Sequence, residues 1–187
     1  ACSAVLPPSS GLAYRLEEAS RTAPIADDIQ SRAARFLIQT TFGPTRASLA
    51  SFVDDLGGGD SIMFCCTDVS DASSVKHLVA QTTERFGRLD CAVNAAAIEF
   101  ETVPLADCAD EDFDRMMQVN TTGLFTCMKH ELRAILKHGD GGAIVNIASS
   151  SSFRPQHQQP AYTASKHAVL GLTRSAALDY ASDGIRI

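Results

Sequence analysis

Downstream of Gly59 the chain alternates short apolar runs with helical apolar spacing, and this alternation restricts its fold more than any other feature. Ser61–Cys66 (SIMFCC), Leu89–Asn94 (LDCAVN) and Ala143–Ala148 (AIVNIA) are runs of strand length, apolar enough to be buried on both faces. Asp71 is placed to cap a helix whose Val75, Leu78, Val79 and Phe86 share one stripe, and Gly87 ends it. A long helix is expected over Asp110–Lys137, with Phe113, Met116, Met117, Leu124, Met128, Leu132, Ile135 and Leu136 on its apolar side. Pro160 suits a first helical position, Ala161–Ala181 follow as a helix, and Ile185–Ile187 open a further strand. Such an order predicts an α/β domain: a parallel sheet covered on both faces, right-handed crossovers, and ligands beyond the carboxyl ends of the strands.

Residues 1–59 read differently, and we expect them to form a separate irregular and helical segment ahead of a domain over 60–187. Residues 1–26, with Pro7, Pro8, Ser9, Ser10, Gly11 and Pro24, are expected to be mostly irregular. From Asp27 the spacing turns helical, with Ile29, Ala33, Phe36 and Leu37 on one face until Gly43–Pro44 breaks it. Thr45 is placed to begin a second helix through Leu49, Phe52, Val53 and Leu56, which Gly57–Gly59 ends. The chain starts on Ala1 and stops at Ile187 inside an apolar pattern, so both ends read as cut.

Composition removes several classes of function. A chain of 187 residues with a net charge of −6 offers nucleic acid or an anionic membrane surface no positive footprint. No stretch reaches the ~18 apolar residues of a membrane span, and the N-terminus carries no secretory pattern. Six cysteines, at positions 2, 65, 66, 91, 108 and 127, form no CxxC pair and have no histidines at ligand spacing. Reduced thiols packed as small apolar groups, no metal and a cytoplasmic home are the expectation.

Candidate chemistry gathers at the strand exits. Thr67–Asp68–Val69, Asn94–Ala95–Ala96–Ala97 and Ser149–Ser152 place small residues where a ligand can approach the backbone; a plain turn explains each as well. Tyr162 and Lys166 stand four apart on an expected helix and so face the same way. An ammonium beside a phenol favours the phenolate, which suits a general acid or base; a solvated surface pair is the alternative. Ser149 lies thirteen residues before Tyr162, at the exit of the preceding strand. Asn120 sits inside the long apolar helix, a poor place for Asn unless its amide has work or the turn is kinked. His157, Gln158 and Gln159 read first as a solvated polar loop and second as a substrate contact.

In their order and spacing these motifs resemble the short-chain dehydrogenase/reductase family over residues 60–187. They are Asp68–Val69, an NAAA form of the family's NNAG turn at Asn94–Ala97, Asn120, IVNIASS at Ile144–Ser150 and YTASK at Tyr162–Lys166. The resemblance implies an incomplete doubly wound, Rossmann-like parallel sheet and hydride transfer between NAD or NADP and a small alcohol or carbonyl substrate. It implies that Tyr162 passes the proton and Ser149 steadies the substrate oxygen. Lys166 then tunes the tyrosine and holds the nicotinamide ribose, while Asn120 holds a relay water. Asp68 and Val69 are implied at the adenine, and Asn94, Ala95 and Ala96 along its ribose. Pairing through the two long helices, as a homodimer or homotetramer, follows as well.

The sequence also departs from the family. No TGxxxGIG turn for the pyrophosphate occurs in residues 1–59, the residue that selects NAD or NADP is missing, and Ala95 and Ala97 replace an amide and a glycine. Residues 32–45 (RAARFLIQTTFGPT) instead resemble the opening of an unrelated bacterial family of unknown function. Two further readings stand beside the oxidoreductase: a cofactor-free remnant or chimeric product that catalyses nothing, and a chain too incomplete to fold alone.

Overall fold

The computed structural model describes residues 63–187 and, upstream of them, the backbone of two strands, β1 (Cys2–Leu6) and β2 (Phe36–Thr40). β3 (Met63–Cys66) leads into α1 (Ala72–Phe86), β4 (Cys91–Ala95) and α2 (Asp110–Met117). A π turn (Gln118–Gly123) joins α2 to α3 (Leu124–Leu136), followed by β5 (Gly142–Asn146), α4 (Pro160–Asp179) and β6 (Ile185–Arg186). The described strands form one sheet in the order β3-β1-β2-β4-β5-β6. β2, β4, β5 and β6 run parallel, whereas β1 is antiparallel to both of its neighbours.

Two local expectations are corrected. Cys2–Leu6 lies in a strand rather than an irregular stretch, and Phe36 and Leu37 belong to a strand paired with β4 rather than to a helix. Phe36–Thr40 is a five-residue run, FLIQT; periodicity cannot tell so short an apolar run from one turn of a buried helix, and strand pairing decides it. Ile29, Ala33 and the expected Thr45–Leu56 helix lie outside the described residues.

Packing follows the alternation of the strands. Ala92, Ile144 and Ile185 are buried against Leu78 and Val79 of α1 and Leu132 and Ile135 of α3, with Met63 and Cys65 at the margin. Each of the buried Val, Leu and Ile side chains contributes about 1.5–3 kcal/mol by leaving water. Phe64, Val145 and Ile147, the alternate residues of β3 and of the β5 exit, are exposed. Among the described residues the helices pack on one face of the sheet. Successive right-handed crossovers that step across a sheet in one direction keep their helices on one side, and β3, β4, β5 and β6 step in one direction.

Local signals set the ends of these elements. Asp71 caps α1, its Oδ1 accepting from the Ser73 N–H at 2.9 Å. Gly87 closes that helix at φ 83°, a conformation that costs glycine little. Gly123, in the π turn, lies so close to β3's exit that a Cβ there would stand 3.0 Å from the Val69 carbonyl oxygen.

Beneath the tips of β4 and β5 runs a buried polar network. Asn94 Nδ2 donates to Glu131 Oε2 and to Asn146 Oδ1, both at 2.9 Å, and Asn146 Nδ2 donates to Thr173 Oγ1 at 2.9 Å. The chain ties α3, β4, β5 and α4 together. Burial pushes the Glu131 carboxyl up to about 7, against the pull of the Asn94 hydrogen bond.

Candidate active site

Tyr162 and Lys166 share one face in the first turns of α4, where Pro160 starts the helix. The Lys166 ammonium lies 5.7 Å from the centre of the Tyr162 ring. Lys166 is only 4% exposed, and its Nζ donates to the Ile147 carbonyl at 3.0 Å. Burial lowers the proton affinity of this amine, with Glu99 acting in the opposite sense. An ammonium has three donors, so the bond to Ile147 leaves others for a ligand.

Ser149 follows β5 and caps a 3₁₀ turn (Ser150–Ser152). Its Oγ accepts from the Ser151 N–H at 3.1 Å, and its own N–H donates to Ser152 Oγ at 3.3 Å. Ser152 then donates its hydroxyl proton to the Lys166 carbonyl at 2.8 Å. Ser149 and the Tyr162–Lys166 face are thus fastened together twice, through Ser152 and through Ile147.

Asn120 occupies the π turn and is buried. Its Oδ1 accepts from the Ile98 N–H at 2.8 Å, and its Nδ2 donates to the Ile98 carbonyl at 2.9 Å and to Ser165 Oγ at 3.1 Å. The amide therefore pins the segment leaving β4 against α4. Inward orientation in a distorted turn is what an Asn inside an apolar helix suggested.

The remaining candidates divide. Asp68 is exposed, and hydrogen bonds from the Ser70 hydroxyl and N–H hold its carboxyl below the usual range. Val69 is buried against Val75 and Cys127, so its side chain is packing. Asn94 turns its amide into the network, and its carbonyl accepts from the Ile147 N–H at 2.9 Å. Ala95 and Ala96 are half-buried, Ala96 against the cluster of Val69, Val75 and Cys127. His157 and Gln158 are exposed, whereas Gln159 donates to Glu99.

Sequence reasoning missed Glu101. Its carboxylate accepts from the Ala161 N–H at 3.1 Å and from the Tyr162 N–H at 2.8 Å, across a gap of 60 residues. A lone Glu among loop residues carries no local signal. Only the absence of a capping side chain at Gln159 hinted that the helix takes its cap from elsewhere.

A sheet with these crossovers, a serine at one strand exit and a Tyr–Lys face beside it, defines a Rossmann-like dehydrogenase scaffold. The sequence profile described as short chain dehydrogenase matches residues 25–187, and the chain belongs to that family. The match begins well ahead of residue 60 and takes in the Phe36–Thr40 strand. The chain is 45% identical over 130 residues to a 2,5-dichloro-2,5-cyclohexadiene-1,4-diol dehydrogenase of Sphingobium indicum, covering 70% of this chain and 52% of the relative. A solved short chain dehydrogenase from Mycobacterium smegmatis superposes with a TM-score of 0.69 at 33% identity, over 80% of this chain and 62% of the other. A structure of ElxO with NADP bound gives a TM-score of 0.67 at 30% identity, over 80% and 60%. The chain spans about half the length of the curated relatives it matches. Among the described residues no helix is long and apolar enough to cross a membrane.

Proposed function

We propose that this chain carries the catalytic half of an oxidoreductase that transfers hydride between NAD or NADP and a small alcohol or carbonyl compound. One observation carries the reading: Tyr162 and Lys166 share a helix face fastened by Ile147 and Ser152 to the strand exit that bears Ser149. Among the described residues no group hydrogen-bonds the Tyr162 phenol oxygen, so that oxygen is left to meet a substrate. A nicotinamide supplies or accepts the hydride when bound.

The protein's own part is proton movement and placement. For a carbonyl substrate, Tyr162 Oη gives its proton to the oxygen that becomes the alcohol; for an alcohol it takes that proton back. Ser149 Oγ, whose oxygen already accepts from Ser151, turns its hydroxyl proton toward the same substrate oxygen. Lys166 offers its remaining N–H donors to a ribose and steadies the phenolate. Ala95 and Ala96 allow a ribose close to the backbone, and Asp68 offers a carboxylate to an amino group on the adenine. Asn120 Nδ2 is committed to Ile98 and Ser165, so a relay water would be held by its amide oxygen, which accepts only from Ile98, or by its main chain.

Pairing of two chains through α3 and α4 is part of the proposal, since Phe125 is half-exposed and Leu178 is 82% exposed on those helices. A reducing cytoplasmic setting is part of the proposal too, and Cys65, Cys66, Cys91 and Cys108 form no disulfide among the described residues.

A second reading has one observation in its favour. No TGxxxGIG turn occurs in residues 1–59, which is the pattern of a cofactor-free family member. Calorimetric titration with NADH and NADPH separates the two. Saturable binding together with turnover of a ketone panel is expected. A folded chain that takes up neither nucleotide overturns the oxidoreductase reading in favour of the second.

A further inference from the structure

Glu101 is 5% exposed, an unusual place for a carboxylate, which tolerates burial only among donors. Three donors meet it. The Ala161 N–H reaches Oε1 at 3.1 Å, the Tyr162 N–H reaches Oε2 at 2.8 Å, and the Cys108 thiol reaches Oε1 at 3.4 Å. The first N–H groups of a helix have no partner within it, and Gln159 at the cap position makes no side-chain bond to them. Glu101 takes that place with both oxygens, and its charge faces the positive end of the helix.

Tyr162 is held from the other side as well. Its carbonyl accepts from Ser165 Oγ at 2.8 Å, and Ser165 in turn accepts from Asn120 Nδ2 at 3.1 Å. The same amide of Asn120 pins Ile98, three residues before Glu101. The main chain of Tyr162 is therefore held at its N–H by Glu101 and at its C=O by Ser165, which Asn120 links back to Ile98.

We propose that Glu101 is a positioning residue for Tyr162, clamping the first turn of α4 so that the phenol stays beside Lys166 and faces the substrate. The inference rests on the proton-transfer role given to Tyr162 above. Misplacing a reacting group by about 1 Å costs roughly a hundredfold in rate, which is the scale of effect such a clamp guards against.

Amide hydrogen exchange of the full chain tests the clamp without any need for turnover. In Glu101→Ala the Ala161 and Tyr162 amides are expected to exchange at least tenfold faster, while amides deeper in α4 keep their rates. Glu101→Gln, which keeps one acceptor oxygen and the same shape, is expected to fall between, and it serves where the alanine variant does not fold. In steady-state assays Glu101→Gln is expected to lower kcat at least tenfold with KM for the nucleotide within twofold, and Glu101→Asp to restore part of the loss. Unchanged exchange at Ala161 and Tyr162 overturns the proposal. So does uniform acceleration along α4, which marks general destabilisation, and so does an unchanged kcat. If the parent chain shows no turnover while those two amides respond as expected, the clamp stands and the catalytic reading of Tyr162 falls.

Discussion

Two polar clusters sit at the same carboxyl ends of β4 and β5, and they differ in what their side chains are left to do. In the Asn94–Asn146–Glu131–Thr173 network, side chains bond to side chains and almost nothing faces outward. In the Ser149–Tyr162–Lys166 cluster the main chain is held instead, by Glu101, Ser152 and Ser165, while the phenol is left without a partner among the described residues. The first arrangement makes a frame and the second makes a tool. Polar residues at a strand exit thus declare their part by where their hydrogen bonds end, not by residue type.

The sharpest attempt to break this contrast is Tyr162→Phe. Turnover is expected to fall about a thousandfold, on the scale of a lost general acid, with an unchanged thermal midpoint because no hydrogen bond among the described residues involves the hydroxyl. A clear drop in melting temperature places Tyr162 in the frame instead. Asn94→Ala is the converse. It leaves Asn146 Oδ1 and Glu131 without their shared donor and opens a small void, so a loss of about 3 kcal/mol is expected in chemical denaturation.

The frame also predicts a pH dependence. Folding raises the Glu131 carboxyl from its ordinary 4.5 to about 7, so the folded chain keeps a proton that the unfolded chain releases. This contribution to stability is complete below the unfolded value and is lost as pH rises from 4.5 to about 7. Melting curves across that window are expected to show a falling midpoint that Glu131→Gln flattens. A slope that survives in Glu131→Gln assigns it to another group. The smallest effect belongs to Ser152→Ala, which removes the bond joining the serine turn to α4. A loss of about 1 kcal/mol with turnover reduced only a few-fold is expected. A thousandfold loss there erases the distinction between holding and reacting.

How much of this was legible in the chain depended on how far apart the partners lie. The Tyr162–Lys166 face, the Asp71 cap and the Ser149 exit are local, written within four residues or at the end of an apolar run. Asn120 could be picked out because an amide inside an apolar stripe is a mismatch. Glu101 could not, since its partners lie 60 and 61 residues onward. The framing role of Asn94 was hidden for the same reason: its motif pointed to a ligand groove, and its partner Glu131 lies 37 residues away. Phe36–Thr40 misled because five residues are too few for a period to declare itself.

The π turn at Gln118–Gly123 has a consequence for which lengths of this chain can work. A residue inserted in a helix rotates everything beyond it by about 100° relative to what came before. The phase of α3, and with it the direction in which Glu131 and Cys127 point, is set by that one widened coil. Shortening it by a residue would leave α2 in place yet swing Glu131 a quarter-turn off Asn94, so a single-codon deletion there would silence the frame while every side chain in it survived.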